Sequence, residues 1–168
     1  KLVCENGTAL FECETVDNSK VTNTVHLPKI SADFFKTDVK DKFDAIELIP
    51  ESIITKKVTV SYSDSLSKVC VIERHHNLGT KGIGFVTNYE ITNGAIATSI
   101  GHDSHNVIVI GDNDSDMALA VNTLATSGGI AVCSEGKVIA SMTLDIAGLM
   151  SVKSADEVTI EHDNLYSA

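Results

Sequence analysis

The sequence predicts a two-layer fold of the α/β or α+β class, with a mixed β-sheet and few helices. Residues 107–110 form an unbroken apolar run, which is typical of a central strand that is covered on both faces. The next segment has apolar residues at helical spacing, and two short extended runs follow it. This order predicts a βαβ crossover followed by a hairpin.

The segments before this unit read as a hairpin, a linker and several strands. Asn6-Gly7 between apolar residues predicts an N-terminal β-hairpin, a remnant whose further partner strands are not obvious nearby. The polar stretch 14–23 predicts a linker, and Pro28 ends an extended segment. We predict strands at 45–49, 54–62 and 69–72, the last covered on both faces, a polar turn at 63–67, and tight turns at Gly79, Gly82 and Gly84.

The helix of the crossover has a predicted start and end. Asn113 or Asp114 can accept a hydrogen bond from a free amide at the helix N-terminus, and the pair Gly128-Gly129 stops the helix. Residues 112–116 also imitate the start of a calcium loop, but Met117 replaces the glycine that such a loop needs. The acidic turn is therefore interpreted as a helix cap.

Composition and length restrict the function. The formal charge of -10 argues against a nucleic-acid partner, and no apolar run is long enough to cross a bilayer. A chain of 168 residues is too short for a (β/α)8 barrel, which takes about 250. Four scattered cysteines without CxxC spacing predict buried reduced thiols, and the lack of a basic-apolar leader predicts no signal peptide, so we expect a cytoplasmic protein.

Two polar groups hold four of the six histidines. Residues 73–76 follow one predicted strand, and residues 102–106 precede another. If the groups converge at one sheet edge, they form a candidate metal site or acid/base pair; hydrogen-bonded interface histidines are the alternative. Ser104 lies between two histidines, but no nucleophile-elbow motif surrounds it. The candidate residues are Glu73, Arg74, His75, His76, His102, Asp103, His105 and Asn106.

Several strings resemble one known family. VIERHH, GAIATSIGHDSHNVIVIGDNDSDMALAVNTL, GGIAVCSEGKVIAS and IAGLMS are similar to the C-terminal domain of bacterial adenine deaminase, of the amidohydrolase superfamily. The resemblance assigns 1–14 to the end of the family's small β domain and 15–168 to its C-terminal domain. After IAGLMS the resemblance implies a helix and an apolar strand, whereas residues 154–158 run almost directly into TIEHDNLYSA, which resembles the family's C-terminus. Segments near 157–159, and near the short turn 63–67, are therefore either deleted or not included in this sequence.

The resemblance implies a parent enzyme of purine salvage that hydrolyses adenine to hypoxanthine and ammonia. Its divalent metal, expected to be manganese with iron or zinc as alternatives, activates a water in a barrel with a His-x-His motif. This chain has no His-x-His, so we expect no metal, no cofactor and no activity in it alone. The implied partners are the parent's barrel and other subunits, and the candidate residues above would face the active-site mouth or an interface.

Two alternatives remain open from the sequence. The chain is a stand-alone metal- or ligand-binding module built on the two histidine groups, or it is an oligomerisation domain.

Overall fold

The computed structural model describes residues 3–12, 16–38, 41–62 and 66–168. These residues form ten strands, a 3-10 helix and two α-helices. The strands are β1 (Cys4–Glu5), β2 (Thr8–Ala9), β3 (Lys42–Leu48), β4 (Thr55–Ser61), β5 (Ser67–Ile72), β6 (Lys81–Thr87), β7 (Gly94–Thr98), β8 (Val107–Gly111), β9 (Gly129–Ser134) and β10 (Lys137–Thr143). The helices are the 3-10 helix Ala32–Phe35, α1 (Asp114–Thr123) and α2 (Ala155–Ser167).

Eight strands form one mixed sheet in the order β10-β9-β7-β8-β5-β6-β3-β4, and β1 pairs only with β2. The sequence prediction that β8 is central is confirmed, because β8 pairs with β5 on one side and β7 on the other. β8 and β9 are both antiparallel to β7 and hence parallel to each other. The predicted crossover through α1 is therefore confirmed, although β7 lies between its two strands, and the predicted β9–β10 hairpin is confirmed as well.

The hydrophobic core lies on one face of this sheet, under α1 and the 3-10 helix. Successive strand residues point to opposite faces, so Val107 and Val109 of β8 face the core and are fully buried. Burying a side chain of this kind contributes about 1.5–3 kcal/mol. Ile108 and Ile110 point to the other face and are only half-buried. The prediction that this strand is covered on both faces is therefore wrong within the described residues.

The C-terminal helix α2 was not predicted from the sequence. The resemblance places TIEHDNLYSA at the family's C-terminus without a secondary structure, and in the structure this segment belongs to a helix from Ala155 to Ser167. A capping box starts it: the Ser154 side chain accepts from the Glu157 N–H while the Glu157 carboxylate accepts from the Ser154 N–H. Neither this helix nor any other in the described residues is long and apolar enough to span a membrane.

Local sequence predictions have mixed outcomes. The turn at Gly79 is confirmed by its φ of +67°, but the turns at Gly82 and Gly84 are wrong, because both residues lie inside β6. Glycine often marks loops, whereas here the two glycines leave one face of β6 without side chains at their two positions. Ser67 belongs to β5 rather than to a turn, and residues 63–65 and 14–15 of the predicted turn and linker lie outside the described residues.

The cysteines also divide. Cys70 and Cys133 are buried free thiols, as predicted, whereas Cys4 is an exposed free thiol; Cys13 lies outside the described residues. Burial raises the pKa of both the Cys70 and the Cys133 thiol to about 11. These two thiols are therefore neutral and unreactive at pH 7.

Candidate functional site

The two histidine-containing groups lie together where the central strand β5 ends and the neighbouring strand β8 begins. β5 ends at Ile72, which pairs with Val107 at the start of β8, so the residues after one strand lie beside those before the other. His75 Nε2 lies 2.9 Å from the Ser104 carbonyl oxygen, and the Arg74 guanidinium donates to the His105 carbonyl. We call this set the histidine edge: Glu73, Arg74, His75, His76, His102, Asp103, Ser104, His105 and Asn106.

Glu73 organises the loop that carries two of the histidines. Its carboxylate accepts backbone N–H bonds from His75 at 2.5 Å, His76 at 2.7 Å and Leu78 at 3.1 Å. The bond from Leu78 is the largest cause that lowers the pKa of the Glu73 carboxyl, and the bonds from His76 and His75 add to it against the opposing effect of burial. The carboxylate is thus an ionised loop anchor, with its acceptor capacity already engaged.

Arg74, the chain's only arginine, is buried with 2% of its surface exposed. It donates to the His105 carbonyl and, at 2.9 Å, to the Ala147 carbonyl. Both of these acceptor residues have left-handed backbones, with φ of +52° and +55°. Burial lowers the pKa of Arg74, but a guanidinium stays charged at neutral pH. Arg74 therefore clamps two strained loops.

The outer part of the histidine edge is exposed. His102 and Asp103 form a pair with 2.9 Å between Nδ1 and Oδ1, and their side chains are 90% and 92% exposed. The His76 side chain is also exposed and lies 3.5 Å from the Glu73 carboxylate. His105 Nδ1 and Asn106 Oδ1 are buried atoms without a hydrogen-bond partner in the structure. The pair is therefore an exposed part of this edge that is available to another surface.

The donor set of this edge does not fit a metal centre. Among the described residues, no group of three or more His, Cys, Asp or Glu side chains is arranged to hold a metal ion. Glu73 is engaged by three N–H groups, and one nitrogen of His75 is directed at a carbonyl. These described side chains therefore do not form a three-ligand site that could activate a water.

The acidic turn between β8 and α1 lies at the other end of β8 from the histidine edge and has a structural role. The Asn113 side chain accepts from the Asp116 N–H at 2.8 Å, which confirms the predicted helix cap. Asp112 accepts from the backbone N–H groups of Asn93 and Gly94, and Asp116, which is 3% exposed, accepts from Gly136 N–H at 2.8 Å. These carboxylates lock the start of β7 and the β9–β10 turn.

Sequence reasoning missed Ser99, which is fully buried at the end of β7. Its hydroxyl accepts from the Gly129 N–H at 2.7 Å and donates to the Gly148 carbonyl at 2.5 Å. It thereby joins the α1–β9 turn to the loop that Arg74 holds. The only signal in the sequence is the Gly128-Gly129 pair, which indicates close backbone approach but does not identify the partner.

Comparison with known proteins identifies relatives. A family model described as the adenine deaminase C-terminal domain matches residues 47–168. The chain is 42% identical to an adenine deaminase of Clostridium acetobutylicum over 84% of its length, and 37% identical to adenine deaminase 2 of Carboxydothermus hydrogenoformans over 99%. It is 35% identical to an adenine deaminase of Dehalococcoides mccartyi over 98%.

The match covers only part of each relative. The chain spans 31% of the Dehalococcoides and Carboxydothermus proteins and 27% of the Clostridium protein. The part it matches is their C-terminal portion.

Proposed function

The chain belongs to the adenine deaminase C-terminal domain family, and we propose that it is the accessory domain of an enzyme that hydrolyses adenine to hypoxanthine and ammonia. The catalytic barrel and its metal-activated water lie in the remaining part of that enzyme. One observation supports this assignment most directly: the match to adenine deaminases is confined to their C-terminal portion, while the histidine edge contains no three-ligand cluster among its described side chains.

The proposal extends to the setting of the parent enzyme. Its divalent metal is manganese, with iron and zinc as the other candidates, since imidazole and carboxylate ligands suit all three. The enzyme acts in the cytoplasm on free adenine and assembles as a homo-oligomer. The two buried free thiols support a reducing compartment.

We expect the 168-residue chain alone to release no ammonia from adenine above the buffer rate, with or without added manganese. The measurement is the loss of adenine absorbance together with enzymatic detection of ammonia. The control is a chimera in which this chain replaces the matching C-terminal portion of the Clostridium acetobutylicum protein, which we expect to be active. Turnover by the isolated chain would refute the assignment, and so would an inactive chimera that is folded and loaded with metal.

We also propose that the histidine edge faces the active-site mouth of the parent enzyme. The support is its exposed pair His102 and Asp103. Among the described residues, these two side chains contact each other and no further side-chain partner. Such a pair can hydrogen-bond a substrate on its way to the catalytic centre, or the loops that bound the entrance. Glu73, Arg74, His75 and His105 hold the pair in place through the contacts described above.

The double variant His102→Gln, Asp103→Asn in the full-length enzyme tests this placement. We expect KM for adenine to rise about 3- to 10-fold, the loss of one or two modest hydrogen bonds, with kcat changed less than about twofold. The matched control is His162→Gln, Asp163→Asn, which removes an exposed His–Asp pair on α2. Unchanged kinetics in the first variant would contradict the placement, and a change in sedimentation without a change in KM would indicate a subunit interface instead.

A further inference from the structure

The sheet face opposite α1 is a continuous apolar surface formed by four central strands. Cross-strand partners share a face, so Val69, Ile110, Ile96 and Val132 form one row across β5, β8, β7 and β9. Val71, Ile108, Thr98 and Ile130 form the next row. We call these eight residues the open face.

The two faces of the same strands differ in burial. Val109, Ala97 and Ala131 point towards α1 and are 0% exposed. On the open face Val71 is 38% exposed, and the other seven residues are half-buried by their neighbours in the sheet. Central strands with apolar residues on both faces are typical of sheets covered on both sides. Only one cover is supplied by the described residues of this chain.

The helix α2 does not provide the second cover. It packs beside β10 at the sheet edge and has no buried residue. A groove of about 420 Å3 lies between it and part of the open face, with Ile96 and Val132 on one side and Leu165 of α2 on the other. The loop after β6 covers this side of the sheet at Ser67, the first residue of β5, whose hydroxyl donates to the Tyr89 carbonyl at 2.7 Å.

The chemistry of the open face restricts its occupant. Seven of its eight residues are Val or Ile and the eighth is Thr98, so the face has no charge and no strong hydrogen-bonding group beyond one hydroxyl. Such a face has little to offer a phosphate, a metal ion or a polar metabolite. An apolar protein surface is the occupant that releases the most water from it.

The length of the relatives indicates how much further polypeptide is available to cover the open face. Two relatives match 98% and 99% of this chain, but the chain spans only 31% of the length of each. About two thirds of such a polypeptide therefore lies outside it. Near its N-terminal end, residues 3–12 are all exposed, and their hairpin β1–β2 pairs with no other described strand. An isolated two-stranded hairpin is marginal in water and needs a partner. Both features are therefore exposed surfaces that the preceding polypeptide can cover.

We propose that the open face is the docking surface for the catalytic part of the same polypeptide, which covers these two rows as a second layer. The inference rests on the proposed function, since it requires the chain to be one domain of a larger adenine deaminase. The domain is then attached by its uncharged sheet face, and the histidine edge, at the end of β5 and the start of β8, lies beside the seam between the two parts.

Cysteine labelling in the full-length enzyme tests the proposal. Cys4 and Cys13 are first replaced by serine, while the unreactive Cys70 and Cys133 are retained. Val71→Cys and Thr98→Cys then each place one small thiol on the open face, and Ile53→Cys places a control thiol at a fully exposed loop position. We expect a maleimide to label the open-face thiols at least about 20-fold more slowly than the control thiol at pH 7. This protection should persist over a roughly 100-fold dilution, because mass action does not affect a contact within one polypeptide.

Two labelling results would overturn the proposal. Open-face thiols that react as fast as the control thiol would show that the face is free in the enzyme. Protection that is lost on dilution, together with dissociation in sedimentation, would show that a second copy covers it. Deaminase activity is measured on the same samples. An active enzyme with reactive thiols rejects the docking but leaves the proposed function intact. An inactive enzyme with protected thiols rejects the adenine deaminase assignment and with it the catalytic identity of the partner, while the open face is still covered within one polypeptide.

Discussion

Replacing Gly129 by alanine is expected to prevent stable folding of the domain. The added Cβ would overlap the Met142 carbonyl oxygen of the paired strand β10, and φ at this position is +121°, which L-residues with side chains rarely adopt. Relief requires β9 and β10 to separate. Because strain and lost pairing act together, we expect a loss of more than about 4 kcal/mol, comparable to the total stability of a small domain.

Gly82→Ala is the matched control for this prediction. A Cβ at Gly82 would meet nothing within 4 Å, and its φ lies outside the unfavourable range. This change inside β6 is expected to alter the free energy of unfolding by less than about 1 kcal/mol, with a gain favoured because the unfolded chain loses freedom. Circular dichroism and urea unfolding distinguish the variants. Similar urea midpoints for Gly129→Ala and the unmodified chain would contradict the backbone geometry at β9.

Replacing Arg74 by methionine is expected to destabilise the domain by about 2–4 kcal/mol. Two effects oppose each other. Methionine avoids the cost of burying a guanidinium, but it leaves the carbonyls of His105 and Ala147 without their donor, at about 1–3 kcal/mol each. The second effect is larger because both carbonyls belong to left-handed residues that the clamp holds in place.

The same variant distinguishes a clamp from a catalytic group. Lys153→Met is its control, since Lys153 pairs with Glu161 near the surface with 32% of its side chain exposed, and we expect that change to shift the urea midpoint far less than Arg74→Met does. Urea unfolding measures both variants. In the full-length enzyme at low temperature, kcat per folded molecule should be unchanged by Arg74→Met. A large fall in kcat without a loss of stability would assign Arg74 to the reaction instead.

Much of the local structure follows from short-range patterns. The apolar run at 107–110 identified the central strand, and the spacing from Met117 to Leu124 together with Asn113 identified the capped helix between two parallel strands. These signals depend on residues within one or two turns of each other, so a linear reading detects them. The capping box at Ser154 and Glu157 is also a short-range signal, although the helix that it starts was not predicted from the sequence.

The sequence by itself determined the fold class, the crossover and the clustering of polar residues at strand ends, because strand length, helical period and capping are properties of neighbouring residues. Only the tertiary structure decided that Arg74 contacts residues 31 and 73 positions away, that Ser99 joins two loops, and that one face of the sheet stays open. Those outcomes depend on which distant backbones approach one another, and no local pattern encodes that.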